Sequence, residues 1–253
     1  MKQHTPATVI TQTQLTDGIF ALDLHAPGLA EAIRPGQFVM VYLDRSDLLL
    51  PRPISVCQTN GSTLQIVYAV VGQGTQHMSK LTNGQPLQLT GPLGNGFYAP
   101  KPDANKIALV GGGIGTPPLL ALLQSLSSVQ AQVDVYLGFR DQPILINAFQ
   151  KIAANVHIAT DTGTHGHKGN AIDLLKNSPE KYDEILACGP QPMLKALAAY
   201  AAEANISCQV CMEERMGCGI GTCVGCAIKT TDGYLKVCVD GPVFYSDKVV
   251  WDA

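Results

Sequence analysis

The sequence predicts a multidomain β plus α/β chain in three parts: an N-terminal β-barrel, a doubly wound parallel α/β domain and a small cysteine-rich C-terminal domain. Three observations carry this prediction. Residues 1–100 hold many short strand-like runs separated by turn dipeptides; residues 101–207 alternate short apolar strands with helical stretches; and residues 208–253 hold six of the eight cysteines. The boundary between the first two parts falls at Ala99-Pro100-Lys101-Pro102-Asp103.

In the first part, Val9 to Leu15, Ile19 to Leu24, Gln37 to Leu43, Ile54 to Gln58 and Thr63 to Ala69 read as strands. Asp17-Gly18, Arg34-Pro35-Gly36, Asn60-Gly61 and Asn83-Gly84 supply turns. Short strands at regular spacing point to a small closed barrel. One helix is expected from about Thr75 to Leu81.

The second part opens with a buried-type strand, Ile107 to Val110, that runs into a glycine cluster and a helix from Pro117 to Ser125. Val133 to Gly138, Val156 to Thr160 and Ile185 to Ala187 are further strands, and Gln191 to Ala204 is helical. Strand and helix in alternation imply a parallel sheet.

The third part is too short for a substantial apolar core and is expected to depend on a metal centre. Its cysteines run Cys218-x4-Cys223-x2-Cys226, with Cys238 after a gap of eleven residues. That is the plant-type 2Fe–2S spacing. Gly219, Gly221 and Gly225 let a tight loop wrap a cluster and aim backbone N–H groups at its sulfurs. A structural zinc is the alternative, but zinc ribbons usually present paired C-x2-C knuckles and an x4 spacing is atypical of them. Cys208 and Cys211 are read as buried thiols near the domain junction.

Composition excludes several classes. Hydrophobic residues are 46% and charged residues 15%, which fits a folded core rather than disorder, and a net charge of −3 with no basic run argues against nucleic acid or an anionic membrane as partner. No signal-like N-terminus and no run of about twenty apolar residues is present, so the expectation is a soluble, cytoplasmic protein.

Two constellations suit phosphates. Arg52-Pro53-Ile54-Ser55 offers a guanidinium for a pyrophosphate, and Gly72-Gln73-Gly74-Thr75 offers a helix start; together they fit the two ends of an FAD diphosphate. Alone, a four-residue match reads more readily as a turn with a surface arginine. Leu109 to Pro118 carries Gly111, Gly112, Gly113, Gly115 and Thr116 between a strand and a helix, where glycines let the backbone approach a diphosphate. Thr116 replaces the last glycine of G-x-G-x-x-G, and no acidic residue closes the second strand, which disfavours a Rossmann dehydrogenase with its own substrate pocket. Gly138-Phe139-Arg140 ends a strand and is expected to reach the adenosine side, and Asp161-Thr162-Gly163 closes the next strand and is expected to contribute to the same cleft; His165 and His167 are assigned no role.

Arg52-Pro53-Ile54-Ser55, Val67-Tyr68-Ala69 and Gly74-Thr75 resemble the FAD-binding barrel of the ferredoxin–NADP reductase superfamily. The glycine cluster and Cys188-Gly189-Pro190-Gln191-Pro192-Met193 resemble that superfamily's nucleotide elements, which implies that Cys188 stands near the nicotinamide. Ala69 departs from relatives that place arginine after the tyrosine. The order of barrel, nucleotide domain and C-terminal cluster resembles the electron-transfer subunits of class 1B dihydroorotate dehydrogenases, over essentially the whole chain. The resemblance implies FAD, NAD and a 2Fe–2S cluster as cofactors. It further implies an FMN-containing dihydroorotate dehydrogenase catalytic subunit as partner, in a heterotetramer of pyrimidine biosynthesis. No catalytic acid–base pair is required of this chain. Reductase subunits of a ferredoxin:NADP oxidoreductase or a sulfide dehydrogenase share the order and are the rival reading.

Overall fold

A computed structural model describes residues 3–252. The first six strands are β1 (Gln3–Thr16), β2 (Ile19–His25), β3 (Phe38–Tyr42), β4 (Arg52–Asn60), β5 (Thr63–Ala69) and β6 (Pro86–Leu93). They close an antiparallel barrel in the order β1-β2-β5-β4-β3-β6. Two short helices, α1 (Leu29–Ala32) and α2 (Gln73–Met78), interrupt it. Side chains alternate across each strand. Val39 and Val41 join Leu22, Leu24, Ile66 and Leu89 in one core, while Phe38 and Met40 turn to a different one. The strand β6 was not read from the sequence. It completes the barrel by pairing with both β1 and β3.

The second sheet has seven strands: β7 (Lys106–Gly112), β8 (Gln132–Phe139), β9 (Asn155–Thr160), β10 (His167–Lys168), β11 (Glu184–Cys188), β12 (Ser207–Cys211) and β15 (Val243–Tyr245). Its order is β10-β9-β8-β7-β11-β12-β15, parallel except for the last. The hairpin β13 (Ala227–Thr230) and β14 (Gly233–Lys236) stands apart from it. Helices α3 (Pro117–Leu126) and α4 (Ile146–Gln150) pack with Ile107 and Leu109 on one face. Helices α5 (Ala171–Lys176) and α6 (Gln191–Glu203) pack with Ala108 and Val110 on the other. This is the doubly wound arrangement. Asn170 caps α5, its Oδ1 accepting from the N–H groups of Ile172 and Asp173 at 3.0 Å each.

The cysteine-rich segment does not hang free. Phe38 and Met40 of the barrel share a core with Cys226, Val237 and Cys238, and with Ala187 and Val210 of the sheet. At the opposite side of the junction, the buried Glu184 carboxylate accepts from the Lys101 N–H at 3.1 Å and from the Gln209 amide at 2.9 Å, and Gln209 Oε1 accepts from the Tyr98 N–H at 2.9 Å. The polar linker is thus fastened to the sheet by satisfied buried groups. Cys208 and Cys211 are both buried in β12. Burial pushes the Cys208 thiol up to about 12, the setting of an unreactive core thiol. No helix among the described residues is long and apolar enough to cross a membrane.

Candidate functional site

Strand order reverses between β7 and β11, and ligands of open α/β sheets bind outside the carboxyl ends of strands at such a point. Both nucleotide motifs stand there: Gly111 and Cys188 are paired across β7 and β11. The chain leaves β7 through a short 3-10 turn, Gly113–Gly115, and enters α3 with Pro117 in the first turn. Close packing explains the glycines. A Cβ on Gly115 would lie 2.6 Å from Gly189 Cα, and one on Gly112 would lie 2.6 Å from Met193 Sδ and 2.9 Å from Pro190 Cδ. Gly113 has φ of +51°, a left-handed backbone that favours glycine. Thr116 is fully buried and its Oγ1 makes no hydrogen bond.

A cavity of about 660 Å³ opens between this turn and the barrel. The barrel contributes Arg52, Pro53, Ile54, Ser55, Val67, Tyr68, Ala69 and Thr75 to its wall, and the sheet contributes Gly115, Cys188 and Gly189. Gly111, Gly112, Gly113, Thr116 and Pro190 are not on that wall; they build the turn behind it. Arg52 is held by two carbonyls, donating from Nη1 to Leu48 O at 3.3 Å and to Leu50 O. Its guanidinium lies over Gly74, where any Cβ would overlap it. Thr75 Oγ1 accepts from the N–H groups of Val71 at 2.9 Å and Gly72 at 3.2 Å, which ties the loop to the first turn of α2. The Tyr68 hydroxyl donates to Gln12 Oε1 at 2.8 Å, and burial raises the phenol above its ordinary range.

Cys188 ends β11 at the cavity, beside Cys211 of β12, with which it is paired in register. The hydrogen bond with Cys211 first, then burial and the nearby Glu213 charge, hold Cys188 well above the usual thiol range. It is therefore a protonated thiol, not a thiolate nucleophile.

Sequence reasoning missed one stretch of wall. Residues Met212 to Met216 leave β12, line the cavity, and lead through Gly217 into Cys218. No local pattern signals this, since the strand they leave is itself hidden in the sequence.

The four candidate cluster cysteines fall into two pairs. Cys218 and Cys223 share one contact, with the Cys223 N–H donating to Cys218 Sγ at 3.4 Å, while Cys226 and Cys238 share another. Burial opposes ionisation of Cys218, but bonds from the Thr222 side chain and from the N–H groups of Cys223 and Ile220 outweigh it and bring the thiol down to about 5. Burial and the Cys226 neighbour push Cys238 up to about 12 against a bond from the Gly221 N–H. Metal ligation would remove that proton. Among the described residues no three His, Cys, Asp or Glu side chains converge on one point as a single ion needs. Two cysteine pairs with backbone donors fit a two-iron cluster better than one tetrahedral zinc. Gly219 lies against buried Met40, where a Cβ would come within 2.7 Å of Met40 Cγ, so the loop is seated directly on the barrel.

Elsewhere the strand ends place little at the cavity. Gly138 faces the start of α5, Arg140 and Asp161 are exposed, and Thr162 bonds to Asp141. His165 and His167 are exposed.

Residues 213–250 match the sequence family of the iron-sulfur cluster binding domain of dihydroorotate dehydrogenase B. The chain is 41% identical over 233 residues to the dihydroorotate dehydrogenase B (NAD(+)) electron transfer subunit of Clostridium perfringens, covering 91% of this chain and 92% of the relative. It is also 41% identical over 254 residues to the Listeria monocytogenes subunit of that name, covering 97% and 98%. In structure it matches the NADH-dependent reduced ferredoxin-NADP oxidoreductase with a TM-score of 0.89 and 27% identity, over 97% of this chain and 90% of the other. A Neisseria gonorrhoeae ferredoxin NADP+ reductase with bound FAD and NADP shares the fold, with a TM-score of 0.69 and 16% identity over 81% of this chain and 92% of that one.

Proposed function

Because the chain belongs to the family of dihydroorotate dehydrogenase B electron transfer subunits, we propose that it carries electrons from an FMN-containing, dihydroorotate-oxidising subunit to NAD⁺, in a cytoplasmic heterotetramer of two copies of each. FAD supplies the exchange between a two-electron hydride and the one-electron traffic of a 2Fe–2S cluster. The chain's own residues bind and orient. Arg52, held by the carbonyls of Leu48 and Leu50, presents its charge to a diphosphate. Pro53, Ile54, Ser55, Val67, Tyr68 and Ala69 wall the flavin side. Gly111 to Thr116 with Gly189 and Pro190 form the turn that admits a nicotinamide dinucleotide, and Cys188 keeps a protonated thiol at the meeting place. Cys218, Cys223, Cys226 and Cys238 hold the cluster. In this reading residues 1–100, 101–207 and 208–253 are the FAD, NAD and cluster domains, with β12 and β15 of the last segment completing the sheet of the second.

The observation that carries the reading is the single cavity shared by the barrel motif, the nucleotide turn and the Met212–Met216 run into Cys218. Co-expression with the dihydroorotate-oxidising subunit tests it: the purified complex reduces NAD⁺ on addition of dihydroorotate. A fully loaded complex that reduces none contradicts the assignment. The close structural match to a ferredoxin-NADP oxidoreductase favours a second reading, in which the partner serves ferredoxin. Reduction of ferredoxin by NADPH in the same complex, with no response to dihydroorotate, selects it.

A further inference from the structure

The cluster loop is clasped by one cation that the cysteine pattern does not predict. Lys236 ends β14 and is half-buried. Its Nζ donates to the Gly221 carbonyl at 2.6 Å, inside the loop between Cys218 and Cys223. Its backbone belongs to the other cysteine segment. The Lys236 carbonyl accepts from the N–H groups of Val239 at 3.1 Å and Asp240 at 2.8 Å, and its own N–H donates to Asp240 Oδ2 at 2.7 Å, so the turn that bears Cys238 is built on it. Its register partner is Ala227, next to Cys226. One residue therefore joins the segments of both cysteine pairs. Among the described residues its ammonium forms no ion pair, so its charge is not cancelled by a contacting carboxylate.

A site of four thiolates around two irons is anionic, and taking up one electron adds one negative charge without making or breaking a bond. A fixed positive charge nearby favours the reduced form over the oxidised one. Bonding to the Gly221 carbonyl also fixes the loop between Cys218 and Cys223, in which the Cys223 N–H donates to Cys218 Sγ at 3.4 Å. We propose that Lys236 is a positioning residue that raises the reduction potential of the cluster, through its charge and its hold on the Gly221 carbonyl. The proposal rests on the cluster reading above and adds to it a residue outside the four cysteines.

The test is a potentiometric titration of the full-length holoprotein, followed by the electron paramagnetic resonance signal of the reduced cluster, for the unmodified chain, Lys236→Met and Lys236→Arg. Lys236→Met is expected to lower the reduced-to-oxidised ratio about tenfold at a given potential, a fall of about 59 mV for one electron. Lys236→Arg, which keeps the charge, is expected to stay near the unmodified value. Loss of iron from Lys236→Met with retention in Lys236→Arg also supports a role for the charge. An unmoved potential in Lys236→Met, an equal fall in both variants, or iron lost from both overturns the proposal. Iron and sulfide absent from the unmodified protein overturn the cluster reading and this role together, whereas an intact cluster of unmoved potential overturns this role alone.

Discussion

The guanidinium of Arg52 lies across the Cα of Gly74, so closely that a methyl group there would fall 1.9 Å from Nε and 2.2 Å from Cζ. The two residues belong to separate motifs, on β4 and at the start of α2, and each is shaped for the other. Gly74→Ala is expected to fold, because the obstacle is a flexible side chain, but to push the guanidinium off its position. Losing a charge-assisted hydrogen bond of about 1.5–3 kcal/mol weakens FAD binding about ten- to a hundredfold. Flavin titration by fluorescence checks this, and Arg52→Ala should fall in the same range.

Gly115 meets backbone rather than side chain, with Gly189 N and Cα both 2.6 Å from the place of a Cβ. Neither side yields without moving a strand end. Gly115→Ala should therefore cost about 1–3 kcal/mol in folding stability and lose NADH binding together. A urea midpoint and an NADH titration measure the two effects, while flavin content is expected to persist.

Cys223→Ser separates the chain's two electron-handling centres. It removes a proposed cluster ligand from one pair and leaves the barrel untouched, so the variant should retain FAD and still reduce a dye with NADH. Electron passage between partner subunit and NAD⁺ should fall below detection. Iron analysis with the two assays decides it.

Asp134, almost fully buried at the start of β8, has its carboxyl held below the ordinary aspartate value of 3.8. Burial alone would raise it, but donors from Asn155, Gln132 and Tyr182 prevail. The lowered value means that Asp134 contributes stability above the ordinary aspartate range and loses it as pH falls through the depressed value. Asp134→Asn should cost about 1–3 kcal/mol at neutral pH and flatten the acid limb of the stability profile. Denaturant midpoints from neutral pH to about pH 3 reveal both changes.

The cysteine spacing, the glycine cluster and the Arg52 motif were legible because each is a local run whose residue types are dictated by chemistry. The strand β6 was not, since Pro86 and Pro92 argue against a strand and its place is set by long-range pairing with β1 and β3. The same holds for β12 and β15: cysteines and a short run conceal strands that exist because the sheet edge receives them. Met40 illustrates the deeper limit. Its place in β3 marks it as a barrel residue, yet it faces outward onto Gly219 of the cluster loop, a relation that only the assembled chain defines. Lys236 is hidden for the same reason, since a lysine at the end of a hairpin strand looks like any solvated charge.

Anaerobic reduction with NADH, read by visible absorbance and electron paramagnetic resonance on one sample of the complex, shows whether electrons pass from the flavin to an iron–sulfur cluster. One FAD, two irons and two sulfides per chain are expected, with bleaching of the flavin followed by a reduced 2Fe–2S signal. A flavin that bleaches while no iron–sulfur signal develops under any reductant, in a protein devoid of acid-labile sulfide, contradicts this expectation.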